Sequence, residues 1–327
     1  MNSALNKGAC TRLTAIALAA VLAFVSSWAQ AQAFPSRPIT LVVPFPAGST
    51  SDVLARILSE ELKGPLGVPV VVENRAGASG AIGAALVAKA PADGHMLTVT
   101  SAATHSVNPW TIKKLNYDPI NDFTHVTRLV QAPLVVLVNP TLPIQSMADL
   151  VKQARDNPGK MAFGYGTQTH HVSALAIAHR NKLEVLAVPY KGTSAAVLAA
   201  ATGEVQFVLA DVISSAPLLK AGKLRAIAAS QTFAAMPNVP VLTEIGYPDF
   251  TTTIWVGLAG PANMPKDVTA RLSDEVGKIL RRPEIKDKIA HMGLEASPSA
   301  PAEFDRYVRN QLSSWGERIR AAGITPE

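Results

Sequence analysis

Five apolar residues, Ile39–Val43, run straight into a short loop of proline, glycine and hydroxyls, and that loop runs straight into an amphipathic helix. This order recurs along the chain and restricts it to an α/β fold, with strands feeding helices through short turns. In residues 39–56 (ITLVVPFPAGSTSDVLAR), Pro44, Pro46 and Gly48 end the strand. Ser49, Thr50, Ser51 and Asp52 are all good helix caps. Val53, Leu54, Ile57, Leu58 and Leu62 then share one helical face. Free backbone N–H groups and three hydroxyls at a positive helix end make a seat for a carboxylate. The same residues would also make an ordinary capped turn.

Strand patterns fall at 39–43, 68–73, 96–100, 124–129, 134–138, 161–165, 186–189, 205–209, 224–229 and 254–259. Helix patterns fall at 52–63, 81–90, 146–157, 169–181, 193–201, 215–221, 266–281, 283–291 and 301–322. Pro91, Pro158, Gly159 and Gly222 stop helices where the patterns end. The alternation predicts two mainly parallel sheets. Chain crossings are expected at 128–134, where Gln131, Ala132 and Pro133 interrupt apolar runs, and at 230–247, which holds Pro237, Pro240 and Gly246. If both cross, 34–130 and 248–327 build one α/β domain and 131–247 a second. The cleft between them would be walled by strand-to-helix loops, the usual ligand position in open α/β sheets.

The N-terminus has the form of an export signal. Lys7 and Arg12 precede an apolar core at 13–25, and Ala29-Gln30-Ala31 and Ala31-Gln32-Ala33 fit a small-x-small cleavage rule. We expect a signal peptide over 1–33 and a periplasmic mature chain; the core is short for a membrane span. The one cysteine, Cys10, lies ahead of that core, so the mature chain would have no disulfide, thiolate metal site or thiol catalysis. Removal of 1–33 loses Lys7 and Arg12 and no acid, taking the formal net charge from +6 to +4. That balance is too mild and too dispersed to argue for nucleic acid. The remaining length favours two domains over one.

Three further stretches carry polar groups at strand ends. Residues 163–172 (FGYGTQTHHV) follow a strand and open a helix, placing Thr167, Gln168, Thr169, His170 and His171 at its start. This is a second anion seat, or a glycine-rich turn with a hydroxyl cap. Residues 100–109 (TSAATHSVNP) predict a polar loop with Ser101, Thr104, His105, Ser106 and Asn108. Asp211 ends the run 205–210 and either faces a ligand amine or ordered water, or caps the next helix.

Other chemistries lack their signatures. Thr169 stands where a dinucleotide fingerprint needs its third glycine, and no phosphate loop occurs. Adjacent His170 and His171 diverge by about 100° on a helix and rarely chelate together, so no metal and no cofactor are expected. No Gly-x-Ser-x-Gly elbow occurs, although a Ser/His/Asp set assembled in three dimensions would still make an exported hydrolase or lyase.

With PSRPITLVVPFPAGSTSDVLAR, VVVENRAGASGAIGA, KAPADGHMLTV, THSVNP, VPYKG, LLKAGKLRAIA and WVGLAGPANMP in this order, the chain resembles the substrate-binding receptors of tripartite tricarboxylate transporters, also called Bug receptors. The resemblance covers 34–315. It implies a two-lobed periplasmic binding protein of the Venus-flytrap, type II-like fold, without catalysis. It implies a small carboxylate ligand, integral-membrane transporter subunits as partners, no nucleic acid and a monomer. It assigns Phe45, Gly48, Ser49, Thr50 and Asp52 to the ligand, with Ser101, His105 and a supporting Asn108. Thr167, Thr169, Asp211 and one histidine complete the set; counting back from VPYKG selects His171, and counting forward from the glycines selects His170. A ligand-sensing partner of a membrane sensor would share the same binding physics.

Overall fold

The computed structural model describes residues 34–233, 236–248, 250 and 253–326; the expected signal peptide at 1–33 lies outside the described residues. In chain order the elements are β1 (Ile39–Val43), α1 (Thr50–Leu66), β2 (Val70–Asn74), α2 (Ala81–Ala88), β3 (Met96–Ser101), α3 (Asn108–Thr111) and β4 (Phe123–Val138). They continue through α4 (Met147–Asp156), β5 (Met161–Tyr165), α5 (Gln168–Arg180), β6 (Val185–Pro189), α6 (Thr193–Thr202), β7 (Phe207–Asp211), α7 (Val212–Lys220) and β8 (Arg225–Ala229). The last are β9 (Thr253–Pro261), α8 (Lys266–Arg281), α9 (Pro283–His291), β10 (Glu295–Ala296) and α10 (Pro301–Ala321).

The strands join in the order β2-β1-β3-β9-β4-β7-β5-β6, with β8 and β10 also on β4. The α/β class is as the sequence predicts, and the pairing is mixed. β1 runs parallel to β2 and β3, and β5 parallel to β6 and β7. Around β4 and β9 every pair is antiparallel. The chain passes from one half of the molecule to the other through β4 and returns through β9, so these two neighbours must run in opposite directions.

β4 also corrects the expectation of two strands at 124–129 and 134–138. It is one strand of 16 residues. Its first part, through Pro133, pairs with β9; from Leu134 on it pairs with β7 and β8. Pro133 sits at the handover, where its missing N–H leaves no ladder bond empty. The next N–H, that of Leu134, donates to Ser230 Oγ at 2.9 Å.

Period-two alternation along β4 supplies both cores of the second half. Leu134, Val136 and Val138 pack with Phe163, Phe207 and Leu209 on one face. Val135 and Leu137 pack with Ala196, Ala200 and Val208 on the other. The first half is held by Val42, Val87, Phe123 and Ala259, and by Trp255 against Phe304 and Val308. α1 shows the local logic of its helices. Ser49 caps it by accepting from Asp52 N at 3.3 Å, and Gly67 closes it with φ +71°. Leu54, Ile57, Leu58 and Leu62 are its buried face.

Candidate functional site

Strand ends from both halves meet in a small cavity of about 50 Å³. The first half contributes Phe45, Ser49 and Thr50 from the β1–α1 loop and Ser101 from the end of β3. The second half contributes Thr167, Thr169 and His170 from the start of α5, Thr193 from the start of α6, and Asp211 from the end of β7. α1, α5, α6 and α7 all begin here, so positive helix ends converge on one place. α6 has only Gly192 at its cap, which brings no side chain to its free N–H groups.

Hydrogen bonds join the loops of the two halves at this site. Thr50 Oγ1 donates to Asp211 Oδ1 at 2.7 Å, and Gln168 N donates to Ser79 Oγ at 2.8 Å. Pro46 also lies against Gly192, whose φ is +108°; a Cβ there would meet Pro46 Cγ at 2.9 Å. Asp211 is an acceptor three times over. Besides Thr50 it takes Ser214 N at 2.8 Å and Ser214 Oγ at 3.0 Å, so it also caps α7. Thr169 Oγ1 is the opposite case: it is buried and has no hydrogen-bond partner. His170 is buried, with Nδ1 3.4 Å from Thr193 Oγ1. Burial drives its pKa down to about 4, against an upward pull from the Asp211 carboxylate.

Seven of the twelve residues read from the sequence line this cavity: Phe45, Ser49, Thr50, Ser101, Thr167, Thr169 and Asp211. Five do not. Gly48 turns the loop with φ +79°, and its N–H goes to Asp52 Oδ2 at 2.9 Å. Asp52 is spent on that turn: it also takes Arg56 through both oxygens at 3.0 Å and Asn74 Nδ2 at 2.9 Å. Its pKa is held down by those bonds to Arg56, Gly48 and Asn74, which outweigh a desolvation that acts upward.

His105 and Asn108 are displaced because 100–109 is not a loop. Residues Ala103–Val107 wind as a wide helical turn and α3 follows directly, which swings their side chains inward. His105 is fully buried, bonded through Nδ1 to Thr100 Oγ1 and, at 2.9 Å, to Thr104 Oγ1. Its ring lies 4.6 Å from Phe123 and 5.7 Å from His125. Asn108 instead supports the site from behind, donating to Ser79 O at 3.1 Å.

His171, the last of the five, lies outside the cavity lining. It stacks on Tyr165 at 4.1 Å and meets Gln168 Oε1 at 3.1 Å, and its neighbour His170 takes the place in the cavity. Successive helical residues point about 100° apart, so only one of the pair can face a given wall. Ser51, one of the three hydroxyls of the first seat, also lines the cavity, and reading the sequence missed Thr193. Thr193 had a usable signal, since VPYKG runs from strand through glycine into a hydroxyl at a helix start. Ile254 and Val256 line the cavity from alternate positions of β9 and carry no local sign of it.

Phe45, Pro46 and Thr167 also line an adjacent outer chamber of about 950 Å³. Tyr165, Tyr190 and Lys191 border that chamber. Among the described residues no cluster of His, Cys, Asp and Glu is placed to hold a metal ion. No described helix is long and apolar enough to cross a membrane.

Residues 54–324 match the family model of the tripartite tricarboxylate transporter family receptor. The chain is 36% identical over 307 residues to a protein of a tcbD–tcbE intergenic region in a Pseudomonas species, covering 91% of each. It is 31% identical over 320 residues to Protein BugT of Bordetella pertussis, covering 96% of this chain and 98% of that one. Among solved structures, an adipate-bound protein of R. palustris superposes with TM-score 0.86 at 32% identity, covering 90% of this chain and 100% of that one.

Proposed function

Because the chain belongs to the tripartite tricarboxylate transporter receptor family, we propose that it is a periplasmic receptor holding a small organic carboxylate between its two halves and handing it to the membrane subunits of such a transporter. A family of receptors sets aside the exported hydrolase or lyase. The observation that carries the ligand class is the unpartnered, buried Thr169 hydroxyl among converging helix starts. An orphan donor in a dry site costs stability until an acceptor arrives, and a carboxylate oxygen is such an acceptor. Neutral donors also suit reversible binding, because no buried cation is left unpaired when the anion departs.

The inner cavity has room for a few water molecules, at about 10–15 Å³ each. It suits one carboxylate head, with the rest of the acid lying toward the outer chamber. The adipate held by the R. palustris relative is a compound of this shape. We further propose that 34–130 with 248–327 and 131–247 act as two domains closing on the acid, that 1–33 is an export signal, and that the receptor is a monomer.

A thermal-shift screen of straight-chain dicarboxylates, hydroxy acids and aromatic acids tests this reading. A cargo acid present at 100 times its dissociation constant should stabilise the protein by about 2.7 kcal/mol. The reading fails if no carboxylate shifts the melting temperature.

A further inference from the structure

We propose that a carboxylate entering the inner cavity brings a proton with it, lodged on His170, so that the receptor carries its cargo as anion plus proton. This rests on the carboxylate reading above and goes beyond it. The lining holds two titratable side chains, His170 and Asp211, and neither lysine nor arginine. The Asp211 carboxylate accepts three hydrogen bonds beside the space a second carboxylate must fill, and it pulls upward on His170. Two negative groups in a desolvated cavity repel strongly, and each favours protonation of a base between them.

His170 is that base. In the empty cavity its burial outweighs the pull of Asp211 and keeps it neutral at pH 7. A second anion beside it reverses the balance. His179 and Arg180 of α5, with Tyr247 and Arg318, line a separate cavity beyond Val172 and Ser173. His171 and Tyr165 stack on each other, and His105 is bonded to Thr100 and Thr104 inside the first half. Lys191, the next cation along the chain, borders the outer chamber and not the inner cavity.

Calorimetric titration of adipate and of succinate into the whole protein tests the idea, in buffers of different ionisation enthalpy between pH 6.5 and 7.5. Both acids are essentially ionised there, so protons taken up on binding are bound by the protein. We expect half to one proton taken up per acid bound, and affinity rising three- to tenfold for each unit of falling pH. His170→Gln should abolish both effects. In wild-type protein labelled at histidine, nuclear magnetic resonance should show one imidazole becoming imidazolium on saturation, a readout independent of how the variant folds. Binding with no proton uptake and flat affinity overturns the inference and leaves the receptor reading standing. Uptake that survives in His170→Gln but disappears in Asp211→Asn moves the proton to Asp211 and also overturns it. If no carboxylate binds at any pH, the receptor reading fails and the inference with it.

Discussion

Residues 100–109 and 163–172 hold the same kit: a strand end, hydroxyls and histidine at a helix start. One buries its histidine in a core, and the other presents one to a cavity. The difference begins at the cap. Thr167 takes a β-region conformation and accepts from His170 N, so α5 starts as a regular helix and sorts its side chains at even angles. Ala102 is already helical and offers no capping side chain, and the chain after β3 underwinds into the wide turn at 103–107. Tyr117 OH, donating to Thr104 O at 2.6 Å, then ties that turn to the core. Where the first turn points decides whether a polar group becomes structural or available, and residue type alone does not.

The sharpest way to break this comparison is to exchange a side chain on each segment. His105→Ala should cost about 3 kcal/mol of stability, since it opens a buried space and removes the ring partner of the Thr100 hydroxyl. Chemical denaturation measures that loss. Thr169→Val should leave stability within about 1 kcal/mol, because its hydroxyl has no partner to lose, yet weaken carboxylate binding by about 1.5–3 kcal/mol. Calorimetry with the best acid from the screen would read it. The reverse pattern, with Thr169→Val unfolding the protein and His105→Ala leaving it intact, would erase the distinction.

A smaller effect tests the burial of the first segment by pH. Burial depresses His105 well below the usual histidine range, with the charge of His125 adding to it. Burial also depresses His125, partly offset by Asp305 at 2.9 Å. Both are neutral when folded and take up protons when unfolded below about pH 6.5. Their contribution is therefore complete above that pH and lost as pH falls. Each histidine should steepen the loss by up to about 1.4 kcal/mol per pH unit until its own folded pKa is reached. Urea unfolding followed from pH 7.5 to 5 should show this, with a shallower slope in His105→Gln. An unchanged slope in that variant would mean His105 is protonated in the native protein.

Much of the fold was legible because caps, breakers and apolar periods act over a few residues. Gly67, Gly203 and Gly222 end helices with the left-handed conformations their positions suggest. The facing hydroxyl-rich helix starts were legible for the same reason. What escaped was set by partners far along the chain. The continuity of β4 through Pro133 depends on β9, more than a hundred residues later. Asp52 reads as a ligand-facing cap, and only the fold brings it Asn74. Choosing between His170 and His171 required the helix phase, which Thr167 sets.

One strand common to both halves also orders their assembly in time. A chain that emerges N-terminus first can complete the ladder of Leu134–Val138 once β7 and β8 are out, by Ala229. The earlier residues of the same strand must wait for β9, which begins at Thr253. In that interval Phe123–Pro133 is an unpaired sheet edge, the kind of surface that invites misassembly and chaperone capture. Pulse-labelling hydrogen exchange during refolding should then protect β7 and β8 amides before those of β9, and truncation before Thr253 should leave an aggregation-prone intermediate whose second half is already ordered.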